Sequence, residues 1–449
     1  MSRSRHATLA EISQSLATGK VTARQLAEES LSRIADPAGE GARAFIHVDP
    51  AQVMHDADAQ DALRRAGREA SPFAGIPFAI KDLFDVAGEV TAAGSVLLAN
   101  ERKAETDSDA VAAMKRAGFV ALGRTNMTEF AYSGVGINPH HGTPLSVYGR
   151  SERRIPGGSS SGSAVAVAEA MCPVALGTDT GGSCRIPAAF NGIVGYKPSA
   201  QRVSRRGVFP LSGSFDSVGP IANSVSCCAA VDALLAGEVR AEIRAGSGPL
   251  VIGVLKNHVL DGLDDDVARD FEAALSGLRK AGHRLVDITF PDLAEMPSLL
   301  VNGGIVAAEA WAIHAPMVAR HEAEYDPRVV SRIRFGQNVT AEELARLRQR
   351  RSEMIGRFAA LANGYDAIAC PAVPVIPPRI DELAAEADYR RLNGLCLRNT
   401  YVFNFLDACA ISLPMQEEGA APTGLMLARP NGGDAALFAA ALMVEQVLG

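Results

Sequence analysis

Cysteine is scarce and scattered in this sequence, and long apolar runs are absent. The chain has seven cysteines among 449 residues, with Cys227 and Cys228 adjacent, and their spacing matches no zinc site. This pattern excludes a disulfide framework and favours a reducing compartment. Residues 1–34 carry charges but no continuous apolar stretch, so we expect neither a signal peptide nor a membrane anchor and predict a cytoplasmic protein.

The charge balance also excludes classes of partner. A net charge of −7 gives no electrostatic reason to expect nucleic acid or an anionic membrane surface. With 47% hydrophobic and 21% charged residues, the composition is that of a globular protein with a large core. We predict one domain over residues 1–449, with the looser, Arg-rich segment 238–248 as the candidate point of subdivision.

Short apolar runs alternate with helical patterns along the whole chain. Apolar runs without polar alternation are typical of strands covered on both faces, so the pattern predicts a helix-covered α/β fold. The predicted strands are 75–81, 118–124, 172–177, 249–256, 283–290 and 365–370. The predicted helices between them include 107–117, 163–171, 264–281 and 340–363.

Two further segments have their own expectations. Within about residues 1–70 we predict helices that pack on the core, beginning with two amphipathic helices, the second capped by Thr22. The segment from Ala372 to Asp388 is rich in proline and charge and is predicted to be a surface excursion.

Glycine and serine form two clusters within residues 157–190. The second, GTDTGGSCRIP at 177–187, follows an apolar strand and places Ser183 just before a segment that can form a helix. Glycines let successive N–H groups point inward and a helix N-terminus adds unpaired donors, so the loop suits a developing oxyanion beside the Ser183 hydroxyl. Such loops also bind phosphate or merely turn the chain, although this one has neither the Walker nor the G-x-G-x-x-G spacing.

The first cluster, PGGSSSGS at 156–163, contains a formal G-x-S-x-G match centred on Ser160. A nucleophile elbow of the α/β-hydrolase type needs a strand directly before it. The preceding YGRSERRIPGG is polar and predicted to be a loop, so we reject Ser160 as that nucleophile. A Ser/Gly loop can also be only a flexible connection.

A serine nucleophile needs a base. None of the nine histidines lies in a recognisable motif, which leaves lysine as the alternative. Of the seven lysines, Lys81 ends the apolar strand in GIPFAIKDLFDVAG, where burial would lower its pKa and leave neutral amine near pH 7. A lysine at a strand end can equally extend to water.

Three segments together carry a family pattern: GIPFAIKDLFDVAG, PGGSSSGSAVAVAEAM and ALGTDTGGSCRIPAAFNGIVGYKPS. In this order, with Ser159 and Ser183 24 residues apart, they resemble the amidase signature family of serine hydrolases. GRTNMTEFAYSG, GVFPLSGSFDSVGPIA and FNFLDACAISLPM also look like segments of that family, so the resemblance covers most of the chain. It implies an α/β fold in which a large mixed β-sheet core is covered by α-helices on both faces.

The resemblance also implies roles for individual residues. Ser183 would be the acylated nucleophile, Ser159 the bridging serine beside a cis peptide, and Lys81 the terminal base, with no metal or cofactor. Arg185 pairs with Asp179 to brace the loop or contacts the substrate, and so near a carboxylate we favour bracing. The backbone N–H groups expected to bind the oxyanion are those of Thr180, Gly181, Gly182 and Ser183.

The identity of the substrate is left open by these motifs. Candidate substrate-binding residues are Tyr132 and Ser133 in EFAYSG, Ser160, and Trp311 and His314 in the second half. The expected partner is a small-molecule amide, without nucleic acid or membrane, and a homodimer is the default assembly.

Three functions are compatible with the sequence. The first is a free-standing hydrolase that releases ammonia or an amine from a small linear amide. The second is the glutaminase-type component of a tRNA-dependent amidotransferase, which typically has GGSSGGS where this chain has GGSSSGS. The third, a catalytically silent binding protein, is disfavoured because Lys81, Ser159 and Ser183 are all present.

Overall fold

A computed structural model of the chain describes residues 6–238 and 245–449. Within these two ranges, eleven strands form one continuous sheet. In chain order they are β1 Phe45–His47, β2 Pro77–Lys81, β3 Val120–Thr125, β4 Val174–Asp179, β5 Val194–Lys197, β6 Ser217–Ala222, β7 Val251–Leu255, β8 Arg284–Ile288, β9 Ala367–Pro371, β10 Cys409–Pro414 and β11 Gly424–Arg429.

The same described ranges contain fifteen α-helices. They are α1 Leu9–Ala17, α2 Ala23–Ala35, α3 Gly41–Ala44, α4 Pro50–Arg65, α5 Asp109–Arg116, α6 Ser161–Ala168, α7 Arg185–Asn191, α8 Val225–Leu235, α9 Asp265–Lys280, α10 Met296–Leu299, α11 Gly304–His321, α12 Pro327–Phe335, α13 Ala341–Ala362, α14 Glu386–Phe405 and α15 Asp434–Leu448.

The sheet is mixed, with the strand order β1-β3-β2-β4-β6-β5-β10-β11-β9-β7-β8. Strand β2 is parallel to β3 and β4, and β7 is parallel to β8 and β9, whereas the other pairs are antiparallel. Parallel neighbours end at the same edge of a sheet. Lys81 at the end of β2 and Asp179 at the end of β4 are therefore brought to one edge.

Alternate residues of the central strands pack on opposite faces of the sheet. Phe78 and Ile80 of β2 belong to the larger apolar cluster, which also includes side chains of α1, α5 and α8. Ala79, between them, belongs to a second cluster with side chains of α2, α4 and α6. Because successive side chains of a strand point to opposite faces, helices cover both faces of the sheet, which confirms the predicted fold class.

Most predicted elements are present. All six predicted strands appear with ends within two residues of the prediction, and three of the four predicted helices match equally well. The fourth, α6, ends at Ala168 rather than at 171. The helices of the N-terminal 70 residues pack on the core as expected, and Thr22 caps α2 by accepting a hydrogen bond from Gln25 N.

Two expectations about burial are wrong. Residues 372–378 are buried apart from a half-buried Ile376, so the surface excursion covers only the later part of 372–388. Three of these buried residues are prolines, which have no N–H group to leave unpaired. Strand β8 is not covered on both faces, because it is the last strand of the sheet and Arg284 and Asp287 are exposed. The candidate subdivision near 238–248 falls mainly on 239–244, outside the described residues.

Helix length and hydropathy give no single membrane-crossing helix in the two described ranges. The segments Pro291–Leu299 and Val301–Glu324 meet the criteria only when taken as a pair, and they are bent by 90°.

Candidate active site

Lys81, the last residue of β2, is fully buried. Its Nζ atom lies 2.8 Å from Ser159 Oγ and 2.9 Å from Thr178 Oγ1. Burial lowers the pKa of Lys81 to about 7, an effect that the charges of Asp179 and Asp216 only partly oppose. A substantial fraction of this amine is therefore neutral near pH 7.

The first Gly/Ser cluster places the Ser159 hydroxyl beside this amine. Ser159 is buried, and its peptide bond to Gly158 is cis. Ser159 O accepts a hydrogen bond of 3.1 Å from Thr128 N, which holds the loop against the neighbouring chain. A Cβ atom at Gly158 would lie 2.6 Å from Gly136 N, so this close approach requires glycine.

The second cluster is the loop between β4 and α7. Gly182 has a φ of +138°, and a Cβ atom there would lie 2.2 Å from Thr400 Oγ1, so only glycine fits. Thr400 in α14 holds the loop from outside by donating a hydrogen bond of 2.7 Å to Gly181 O. Ser160 N donates to Ser183 O at 3.3 Å. The two clusters are thus in direct contact, although 24 residues separate Ser159 from Ser183.

A buried ion pair holds the same loop from within. Arg185 Nη2 lies 2.9 Å from Asp179 Oδ1, and Arg185 Nε lies 3.0 Å from Asp179 Oδ2. Asn404 and Cys184 N also donate to this carboxylate, at 2.8 and 3.1 Å. Burial alone would raise the pKa of Asp179, but Arg185 and Asn404 lower it to about 2. This geometry supports the bracing interpretation of Arg185.

A cavity of about 360 Å³ opens beside Ser183. Thr180 and Gly181 line it together with Ser183, as do the predicted Tyr132 and Ser133. The Ser133 hydroxyl donates to Asn393 Oδ1 at 3.0 Å and accepts from Tyr389 at 2.9 Å, so it already serves the wall itself. Most other lining residues are apolar. The polar ones are His258, Arg332, Asn393, Arg398 and Tyr401.

Three candidate substrate residues are placed elsewhere. Ser160 is buried, and its hydroxyl donates to Thr178 O at 3.4 Å. Trp311 packs against the hydrophobic core. His314 is buried against Phe130, with its Nδ1 3.0 Å from Tyr325 Oη. None of the three lines the cavity beside Ser183 in the described part of the chain.

Sequence reasoning missed Thr178, Arg332 and Arg398. Thr178 lies just past the predicted end of its strand, and its contact with Lys81 depends on the pairing of β2 with β4. The two arginines are contributed by α12 and α14. No local motif marks them, because their position at the cavity is a product of helix packing.

Metal-binding side chains are not grouped in residues 6–238 and 245–449. No set of three or more His, Cys, Asp or Glu side chains there could hold a metal ion. All seven cysteines are free and buried. Burial raises the pKa of Cys172, for example, to about 12, so this thiol stays protonated at neutral pH.

Comparisons with known proteins agree with this geometry. A family model described as Amidase matches residues 25–438. The 2-amino-5-chloromuconic acid deaminase of Comamonas testosteroni is 33% identical over 411 residues, covering 89% of this chain and 87% of that protein. The first component (GatA-type chain) of the glutamyl-tRNA(Gln) amidotransferase of Chromohalobacter salexigens is 31% identical over 474 residues, covering 98% and 96%. A crystal structure of an amidase aligns with a TM-score of 0.88 and 31% identity over 99% of this chain and 100% of its own.

The family model covers most of the chain, and both relatives align over nearly their full length. The resemblance predicted from the three motifs is confirmed: this chain belongs to the amidase family.

Proposed function

We propose that this protein hydrolyses the carbon–nitrogen bond of a small linear amide without a partner chain, through an ester on Ser183, and releases ammonia or an amine. Membership of the amidase family supports the reaction class. The observation that carries the proposal is the buried amine of Lys81, 2.8 Å from the Ser159 hydroxyl, with Ser183 in the wall of the adjacent cavity.

The relay begins at the neutral amine, which has two N–H bonds and one lone pair. One N–H donates to Thr178 Oγ1, and this contact leaves the lone pair available to Ser159. Lys81 takes the Ser159 proton as Ser159 takes the proton of Ser183. The Ser183 oxygen then forms a bond to the amide carbon.

Attack produces a tetrahedral intermediate with a negative oxygen. The backbone N–H groups of residues 180–183 would stabilise this charge, a role for which the Thr400 contact and the Asp179–Arg185 pair hold the loop in place. The relay returns its proton to the leaving nitrogen as the C–N bond breaks. Water then attacks the ester by the same proton path, which frees the acid and restores Ser183.

The second candidate is the glutaminase-type component of a tRNA-dependent amidotransferase. It is favoured by the 31% identity to such a component over 98% of this chain. A protein of that kind would need its partner chains and tRNA for full activity. Our proposal instead includes a cytoplasmic enzyme that acts without nucleic acid or membrane, with a homodimer as its expected assembly.

Ammonia release by the purified protein alone separates the two candidates. We expect turnover of at least one amide in a panel of aliphatic, aryl and carboxylate-bearing primary amides, and none with Ser183→Ala. No turnover alone, together with glutamine hydrolysis after addition of partner chains and tRNA, would replace the proposal by the second candidate. Activity that is retained by Ser183→Ala would contradict both.

A further inference from the structure

We propose that the cavity beside Ser183 selects amides that carry a carboxylate group and lack an ammonium group. This inference rests on the proposed amide hydrolysis and names its substrate class. It is carried by two arginines of the cavity wall, Arg332 and Arg398, and by the composition of the rest of the wall.

Arg332 of α12 offers an unneutralised charge to the cavity. Its guanidinium carbon lies 4.7 Å from the ring centre of Tyr132, and its Nε atom is buried without a hydrogen-bond partner among the described residues. Its helix neighbour Arg334, in contrast, pairs with Glu322 at the surface. A guanidinium held in place by stacking, with N–H groups left over, is suited to bind a carboxylate with two parallel hydrogen bonds.

Arg398 of α14 adds a second positive charge. It donates to the carbonyl oxygens of Val259 and Asp261 and to Asn399 Oδ1. These acceptors are neutral, so they fix the guanidinium without cancelling its charge. His258 shares the cavity, but burial and the neighbouring Arg398 lower its pKa, so it is mainly neutral at pH 7.

The cavity wall offers nothing to balance a positive charge on a ligand. None of the described residues that line it is Asp or Glu. Nearby carboxylates are committed elsewhere: Asp216 accepts from Thr180 and from backbone N–H groups, and Glu309 accepts from Ser212 and pairs with Arg348. An α-amino acid amide such as glutamine would bury its ammonium group without a partner, which is costly.

Binding measured apart from turnover tests this selectivity. The Ser183→Ala variant is titrated calorimetrically with malonamate, succinamate, glutaramate and 4-carbamoylbenzoate. Each is paired with its neutral counterpart: propanamide, butanamide, pentanamide or 4-methylbenzamide. Glutamine is titrated beside glutaramate, from which it differs by the ammonium group. We expect at least one acid to bind on the order of 10- to 100-fold more tightly than its neutral counterpart, and glutamine to bind more weakly than glutaramate by a similar factor.

Substitution of Arg332 assigns the effect. Arg332→Gln in the Ser183→Ala background should remove most of the preference for the acid and leave binding of the neutral amide unchanged. Arg334→Gln, which removes the same charge from the same helix outside the cavity, is the matched control and should keep the preference. Equal binding of acids and neutral amides, tighter binding of glutamine than of glutaramate, or an equal loss in both arginine variants would overturn the inference. If an acid binds selectively but no amide is turned over by the wild-type protein, the selectivity stands and the proposed hydrolysis fails.

Discussion

The Nζ atom of Lys81 lies 2.8 Å from the Ser159 hydroxyl, and both side chains are fully buried. Burial favours the neutral form of an amine, and neutral lysine is the form that can accept a proton. This relationship ties the protonation of one side chain to the reactivity of Ser183.

The pH dependence of kcat/KM should reflect Lys81. Its pKa is lowered to about 7, so the amine is neutral above that pH and protonated below it. We expect kcat/KM to be constant above about pH 8 and to fall about tenfold for each unit below the pKa, measured with a substrate that does not titrate in this range.

A second buried group, Glu129, requires a control, because burial raises its pKa to about 7 as well. It accepts hydrogen bonds from Ser95 and from Asp326 N and lies 3.0 Å from His140 Nε2. Glu129→Gln keeps the shape and removes the titration. If the acid limb disappears in this variant, or if kcat/KM does not change between pH 5.5 and 8, Lys81 is not the controlling base.

Thr178 should act as a positioning residue for the amine. Thr178→Val removes the hydroxyl that lies 2.9 Å from Lys81 Nζ and keeps the side-chain volume. We expect kcat to fall by about 10- to 100-fold, the loss typical of a hydrogen bond to a charged or ionisable group, and the acid limb of the pH profile to shift. Thr178→Ser, which keeps the hydroxyl, should stay within a few-fold of the wild type. A normal pH profile in Thr178→Val would show that the contact does not orient the amine.

The Asp179–Arg185 pair should matter for stability as well as activity. Asp179→Asn leaves a buried guanidinium without its counter-charge, and we expect the free energy of unfolding to fall by about 3–5 kcal/mol. The double variant Asp179→Asn, Arg185→Met should lose less than the sum of the two single changes. Glu386→Gln, which breaks the exposed pair with Arg390, should leave the unfolding free energy nearly unchanged. Chemical denaturation compares all four variants, and additive losses would mean that the pair is not coupled.

The sequence predicts the site better than its surroundings. The two Gly/Ser clusters and the apolar strand that ends at Lys81 are local features, and they are visible without knowledge of the fold. Strand β6 is not, because SVGPIA contains glycine and proline, which are rare inside strands. Arg332 and Arg398 lie on α12 and α14, and only the packing of those helices brings them to the cavity. The buried prolines after Ala372 show the same limit, since Pro374 O accepts from Asp264 N in the loop before α9.

The most direct test of the account is the site of covalent labelling by a fluorophosphonate, located by tandem mass spectrometry. We predict a single adduct on Ser183, formed at least about a thousandfold more slowly in Lys81→Met than in the wild type, whose fold the variant should keep by circular dichroism. An adduct on another residue, labelling that survives Ser183→Ala, or an unchanged labelling rate in Lys81→Met would contradict the proposed relay.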